Sequence, residues 1–317
     1  MNLNKDTQAL TETAIITSLM VIFGLVGLYF FNIIVILYPI PFIVLGVRHG
    51  TRYNILSLAI SSLILGIFTN IILGIFLFVF FGFMAITLSY MLKRKFKASQ
   101  ILLFTAGGLF ICILLTLALF NLITGTSLLS DIQIVIDQII EISYDEVKDM
   151  GFSNYEQEEI KEMIKAFYEY FILLMPFMII SGSLFVAYIN FWLSGVALRR
   201  LGNTTIEFPK FKIFSLPSNI ILGTVVIIIG TILIRYLEML YYETILLNVV
   251  ALLIFVFFLQ GLAVLVFFLD KLKINKFFKL IFLVLAIINV FLIILIAIAG
   301  FVDALLDFRK IRTANKP

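Results

Sequence analysis

The chain has 317 residues, 62% of them hydrophobic and only 13% charged, with a mean hydropathy of +1.17. Soluble domains carry about 45–50% apolar and about 25% charged residues, so a water-soluble globular fold is excluded. A net charge of +4 averages over opposed regions, and one cysteine with one histidine excludes an internal disulfide and a Cys/His metal cluster.

Apolar runs long enough to cross a bilayer recur along the chain. They predict an all-α polytopic bundle of about nine spans, eight being the alternative. The spans fall at about 8–30, 32–48, 52–69, 71–92, 100–124, 168–198, 217–240, 245–269 and 276–302. Lys5, Asp6 and Glu12 stand at the head of the first, without a signal-peptide cleavage pattern, so that run reads as a retained span. On it, Thr11, Ala14 and Ser18 share one face. Small residues let helices approach closely, so this face either packs inside the bundle or docks on another membrane subunit.

The second span is short and holds Pro39 and Pro41 in "YPIPF". Prolines remove backbone donors, which hydrocarbon tolerates only where neighbours compensate, so a buried position is expected. "FIVLGVRHGTRYNIL" then makes the turn into span three. Gly46 and Gly50 are expected to permit the reversal, Arg48 and Arg52 to anchor at the headgroups, and His49 to lie exposed without a chemical role.

Basic residues mark one side of the membrane. Arg48 and Arg52, the run Lys93, Arg94, Lys95 and Lys97, the pair Arg199 and Arg200, and Lys271, Lys273 and Lys276 all fall on one side if the N-terminus is cytoplasmic. The tail breaks this scheme. Nine spans place its Arg309, Lys310, Arg312 and Lys316 outside; eight place them inside. The side of the tail stays open.

Residues 125–167 form the largest polar piece. Ten acids stand there against three lysines, a net of about −7. Ile132, Val135, Ile136, Ile139 and Ile140 recur at helical spacing, and Gly151 reads as a helix stop. Ser153 with Glu156 matches a capping box. Two extracytoplasmic helices are expected, the second continuous with span six, acting either as a cap over an outward site or as a plain lid.

Four polar residues stand out in the later spans. Asn190 and Gln260 need hydrogen-bond partners in hydrocarbon, which are either other helices or a ligand. Arg235 and Glu238, three apart near the outer end of span seven, either pair at the interface or contact a ligand. No HExxH, GxSxG or P-loop occurs and no carboxylate pair sits at mid-span, so no enzyme, metal or cofactor is expected.

With the Ala14/Ser18 face, the proline-bearing second span and "LGVRHGTR", residues 1–198 resemble the six-helix substrate-binding (S) components of energy-coupling-factor transporters. With "FFLQGLAVLVFFLDK" and "AGFVDALLDFRK" added, nearly the whole chain resembles the YybS-like family of Gram-positive membrane proteins. The second resemblance implies no specific activity. The first implies a subunit that binds a solute from outside. It also implies docking on a membrane coupling subunit, with ATPases in trans, through an AxxxA face on span one. Ala14 and Ser18 stand at those positions, with serine replacing the second alanine, while Arg48 and Arg52 lie on the face a partner would meet. The expectation is an S-component-like bundle over 1–198, containing the 125–167 insertion, and a 199–317 extension of three spans. It serves either as a solute-binding transport subunit or as a non-transport membrane scaffold or regulator that assembles with other membrane proteins, in the cytoplasmic membrane.

Overall fold

The computed structural model describes residues 3–126, 128–149, 154–202, 210–237 and 241–311. Every regular element among them is helical. Gly151 and Ser153, read above as a helix stop and a cap, lie outside the described residues. Contacts divide the chain into two compact units, one of residues 1–161 with 182–208, the other of 162–181 with 209–317.

In the first unit, α1 (Leu3–Phe30) packs on α3 (Thr51–Phe68), and α2 (Ile40–His49) fills the space between α3 and α5 (Gly82–Lys93). A short α4 (Ile71–Phe76) and one π turn lead into α5, and α6 (Ala98–Thr124) lies beside it. The core holds Tyr38, Phe42, Leu58, Leu65, Met84 and Leu88, all fully buried. As expected, the proline-bearing span is interior. Its prolines start a helix instead of breaking one: Pro39 is the N-cap of α2 and Pro41 sits in the first turn, where the missing donors have no helical partner anyway. The α3–α4 reversal is tight because two glycines meet. A Cβ on Gly74 would lie 2.8 Å from both the Gly66 Cα and the Ser62 carbonyl oxygen.

Much of the outward surface of the apolar helices is hydrocarbon. Ile15, Leu19 and Ile22 on α1 and Leu103, Phe104 and Ile111 on α6 are exposed, as lipid-facing helices require. Among the described residues seven helices are long and apolar enough to cross a membrane. The acidic insertion forms α7 (Leu128–Asp149) and α8 (Asn154–Leu173). On α7, Ile136 and Ile140 are buried, whereas Val135 and Ile139 are exposed. The second outer helix is nearly continuous with α9 (Met175–Arg200), with Leu174 alone between them. Backbone bonds from Leu174 N to the Tyr170 oxygen and from Met178 N to the Leu174 oxygen, each 3.0 Å, carry the chain across.

The second unit departs from the expected spans in two places. The seventh is shorter: α10 is Ile220–Tyr236, 17 residues. The ninth is not one straight span. α12 (Lys276–Ile288) and α13 (Val290–Leu306) meet at a bend of 102°. Asn289 makes the break: its side-chain oxygen accepts from Leu292 N at 3.2 Å, so it caps a new helix in the middle of an apolar run. Between these lies α11 (Tyr242–Lys271), to which α13 packs most closely.

Candidate functional site

Helix α3 carries a polar spine into the core of the first unit. Asn54, Ser57 and Ser61 are fully buried, at spacings of three and four that place them on one face. The Ser57 hydroxyl lies 2.8 Å from that of Thr17 on α1. The Ser61 hydroxyl lies 2.8 Å from that of Tyr38. Asn54 Nδ2 donates to the Ala85 oxygen at 3.1 Å and to Ser89 Oγ at 3.2 Å. Gly46 makes room for this pairing, since a Cβ there would sit 2.7 Å from Ser89 Cβ and 2.8 Å from Asn54 Nδ2. That corrects its expected role. Gly46 is buried inside α2, and the reversal itself belongs to Gly50, whose φ of +105° suits glycine.

Four buried side-chain atoms of this unit have no hydrogen-bond partner among the described residues: Asn54 Oδ1, Thr105 Oγ1, Asn190 Oδ1 and Ser194 Oγ. Asn190 is otherwise held, its Nδ2 donating to the Ile36 and Val186 oxygens at 3.0 Å each. Of the spine residues Asn54 makes the most bonds to another helix, two, both to α5. Asn54→Ala is expected to destabilise by about 1–3 kcal/mol, and Ser89→Ala by less, because Asn54 keeps its bond to Ala85. Thermal unfolding in mild detergent reads the order.

At the end of this unit near the α2–α3 turn, Glu12 gathers two partners. Its Oε2 lies 2.8 Å from both Arg48 Nη1 and His49 Nε2. His49 is therefore not the exposed turn residue expected: its side chain is only 15% exposed and is drawn onto α1. The sequence signal for this was Glu12 inside the first apolar segment. Arg52, one turn away, stays exposed. Ala14 and Ser18 are exposed too, about a quarter-turn around α1 from buried Thr13 and Thr17. Ser18 Oγ donates to the Ala14 oxygen at 3.0 Å, so its hydroxyl is satisfied within the helix.

The second unit holds the densest polar cluster. Gln260 Nε2 donates to Asp303 Oδ2 at 2.7 Å. Arg309 Nε and Nη2 donate to the same oxygen at 3.0 and 2.8 Å. The guanidinium also donates to the carbonyls of Lys212 and Phe214, at 2.9 Å each. Gln260 Oε1 accepts from Leu216 N at 2.9 Å. Asp303 and Arg309 are both buried. Sequence reasoning singled out Gln260 and missed this ion pair, because Asp303 and Arg309 flank the last apolar run and read as interfacial charges. Nearby, Asp270 pairs with Lys212 at 3.0 Å and with Lys279.

Asn248 was missed as well. Its Oδ1 accepts from Phe177 N and its Nδ2 donates to the Leu173 oxygen, both at 2.7 Å. In an unbroken helix those two backbone groups would bond each other. Next to Pro176 the side chain splices the α8–α9 break, the repair that hydrocarbon demands of a proline-interrupted helix.

Of the other predicted residues, Arg235 is exposed at the end of α10 with its guanidinium 5.8 Å from the centre of the Tyr242 ring. Glu238 lies outside the described residues, so the expected pair is not described. Between α11 and α13 runs an open groove of about 200 Å³, lined by Leu253, Ile254, Phe257, Ile294, Ala297, Ile298 and Phe301, all apolar.

Comparison with known proteins places most of the chain within a family model. The family model DUF2232, described as "Predicted membrane protein", covers residues 14–304. No curated protein and no solved structure matches.

Proposed function

We propose, on the premise that the chain belongs to the DUF2232 family of predicted membrane proteins, that it is a non-catalytic membrane subunit docking on a second membrane protein through the outer face of α1. The observation that carries this is the division of that helix. Thr13, Thr17 and Met20 turn into the first unit, while Thr11, Ala14 and Ser18 turn out. Lipid alone favours large apolar side chains on an outward face. Small side chains whose hydroxyls are tied back to their own helix suit another helix instead, since backbones then approach closely. Of the two uses open to this face, the outward exposure favours docking. The reading agrees with the resemblance of residues 1–198 to S components. Arg48 and Arg52 lie on the basic side that a cytoplasmic partner would meet, in the cytoplasmic membrane with the N-terminus inside.

Ala14→Leu with Ser18→Leu is expected to reduce partner recovery at least tenfold when the tagged protein is purified in mild detergent, with its own unfolding temperature unchanged. Unchanged recovery would remove this face from the interface.

A solute-binding role is the second reading. It rests on the buried Asn54, Thr105, Asn190 and Ser194 atoms that lack partners. The apolar groove between α11 and α13 does not favour a polar solute. Native mass spectrometry finding a bound polar molecule in wild type, lost in Asn190→Leu, would support it.

A further inference from the structure

We propose that α12 and α13 form a re-entrant hairpin, entering the membrane and returning to the side they came from, so that Lys310 and Ile311 lie on the same side as Lys273. Four observations carry this.

The first is direction. A single crossing over 276–302 would run antiparallel to α11, which immediately precedes it. Yet Phe257 packs its ring edge-on against Phe301, Gln260 bonds Asp303, and Arg309 beyond the end of α13 reaches the carbonyl of Lys212, which pairs with Asp270 at the end of α11. Along this series the residues of both helices advance together, so α13 is parallel to α11. The chain must therefore turn back within the run, and the 102° bend at Asn289 is where it does.

The second is closure. Lys279, in the first turns of α12, pairs with Asp270. Asp270 also pairs with Lys212, whose carbonyl accepts from Arg309 beyond the end of α13. The two ends of the hairpin thus meet at one patch. The third is length. At 1.5 Å per residue, α12 is about 20 Å long and α13 about 25 Å, each short of the roughly 30 Å hydrocarbon core.

The fourth is that Asn289 ties the two helices together at the apex. Asn289 N donates to the Leu285 oxygen at 3.1 Å, and its own carbonyl accepts from Ile293 N at 3.0 Å. Its side chain caps Leu292. A bend inside the membrane needs these groups satisfied. From Leu280 to Val302 no residue is charged, whereas lysines cluster at the base. The hairpin also removes the conflict of a basic tail outside, because the tail then shares the basic side.

The test uses the single cysteine. In a Cys112→Ala background, Lys273→Cys and Tyr241→Cys mark the two ends of α11, and Lys310→Cys is the reporter. Each is exposed on sealed vesicles to a membrane-impermeant maleimide, before and after permeabilisation. Lys310→Cys is expected to label in step with Lys273→Cys and opposite to Tyr241→Cys. Labelling in step with Tyr241→Cys would overturn the hairpin. So would identical labelling of the two α11 markers, since α11 would then not cross.

Discussion

Asp303→Ala is expected to destabilise the protein by about 3–5 kcal/mol, because it leaves the Arg309 guanidinium buried without its counter-charge. One carboxylate oxygen accepts three donors there, from Gln260 and from Arg309 twice. Removing it orphans all three at once. The reverse change, Arg309→Met, strands the carboxylate and additionally frees the Lys212 and Phe214 carbonyls. Asp303→Leu combined with Arg309→Met is expected to recover most of the loss, since a buried ion pair and an apolar pair of similar volume often differ little in stability. Thermal unfolding in mild detergent, followed by the loss of helical circular dichroism, distinguishes the cases. A cost under about 1 kcal/mol for Asp303→Ala would mean that the pair is solvated.

Gly300→Leu is expected to have an effect of similar size. A Cβ at Gly300 would run into the Phe257 carbonyl and stand 2.5 Å from Gly261 N. A Cβ at Gly261 would meet the Ile296 carbonyl. The obstacles are backbone atoms, so α11 and α13 must part. Overpacking among side chains costs about 1–3 kcal/mol, and a backbone clash relaxes less readily. The expected readout is loss of a monodisperse peak in size-exclusion chromatography. Gly107→Ala is the control, since a Cβ there meets nothing within 4 Å and helix propensity alone favours alanine by about 1 kcal/mol. A Gly300→Leu protein as stable as the control would contradict the close packing.

These sites mark where sequence reading succeeds and stops. Apolar runs give helices and their approximate ends, because a helix must bury or expose hydrocarbon along its whole length. They do not register a polar residue that acts locally. Asn289 sits in "AIINVFLII", where composition reads one span, and its capping bond makes two. Asn248 likewise reads as one polar residue in a long span, and its splice to Leu173 and Phe177 depends on a segment some 70 residues away. Gln260 was legible as needing a partner. Its partner was not, because Asp303 looks interfacial until α13 is seen to run parallel to α11. The spine of Asn54, Ser57 and Ser61 was present as spacing, yet serine is so common in membrane helices that the spacing alone does not reveal an interior face. The Ala14/Ser18 face was readable from sequence, but which way it turns is decided only by the packing of Thr13 and Thr17.

The most direct measurement of the docking account is site-specific photo-crosslinking in intact membranes. A photoreactive residue replacing Ala14 or Ser18 is expected to give a discrete adduct with another membrane protein. The same residue at Leu103, exposed on α6, is expected to give none. An absence of discrete adducts at Ala14 and Ser18, or the same adducts from Leu103, would contradict docking through α1.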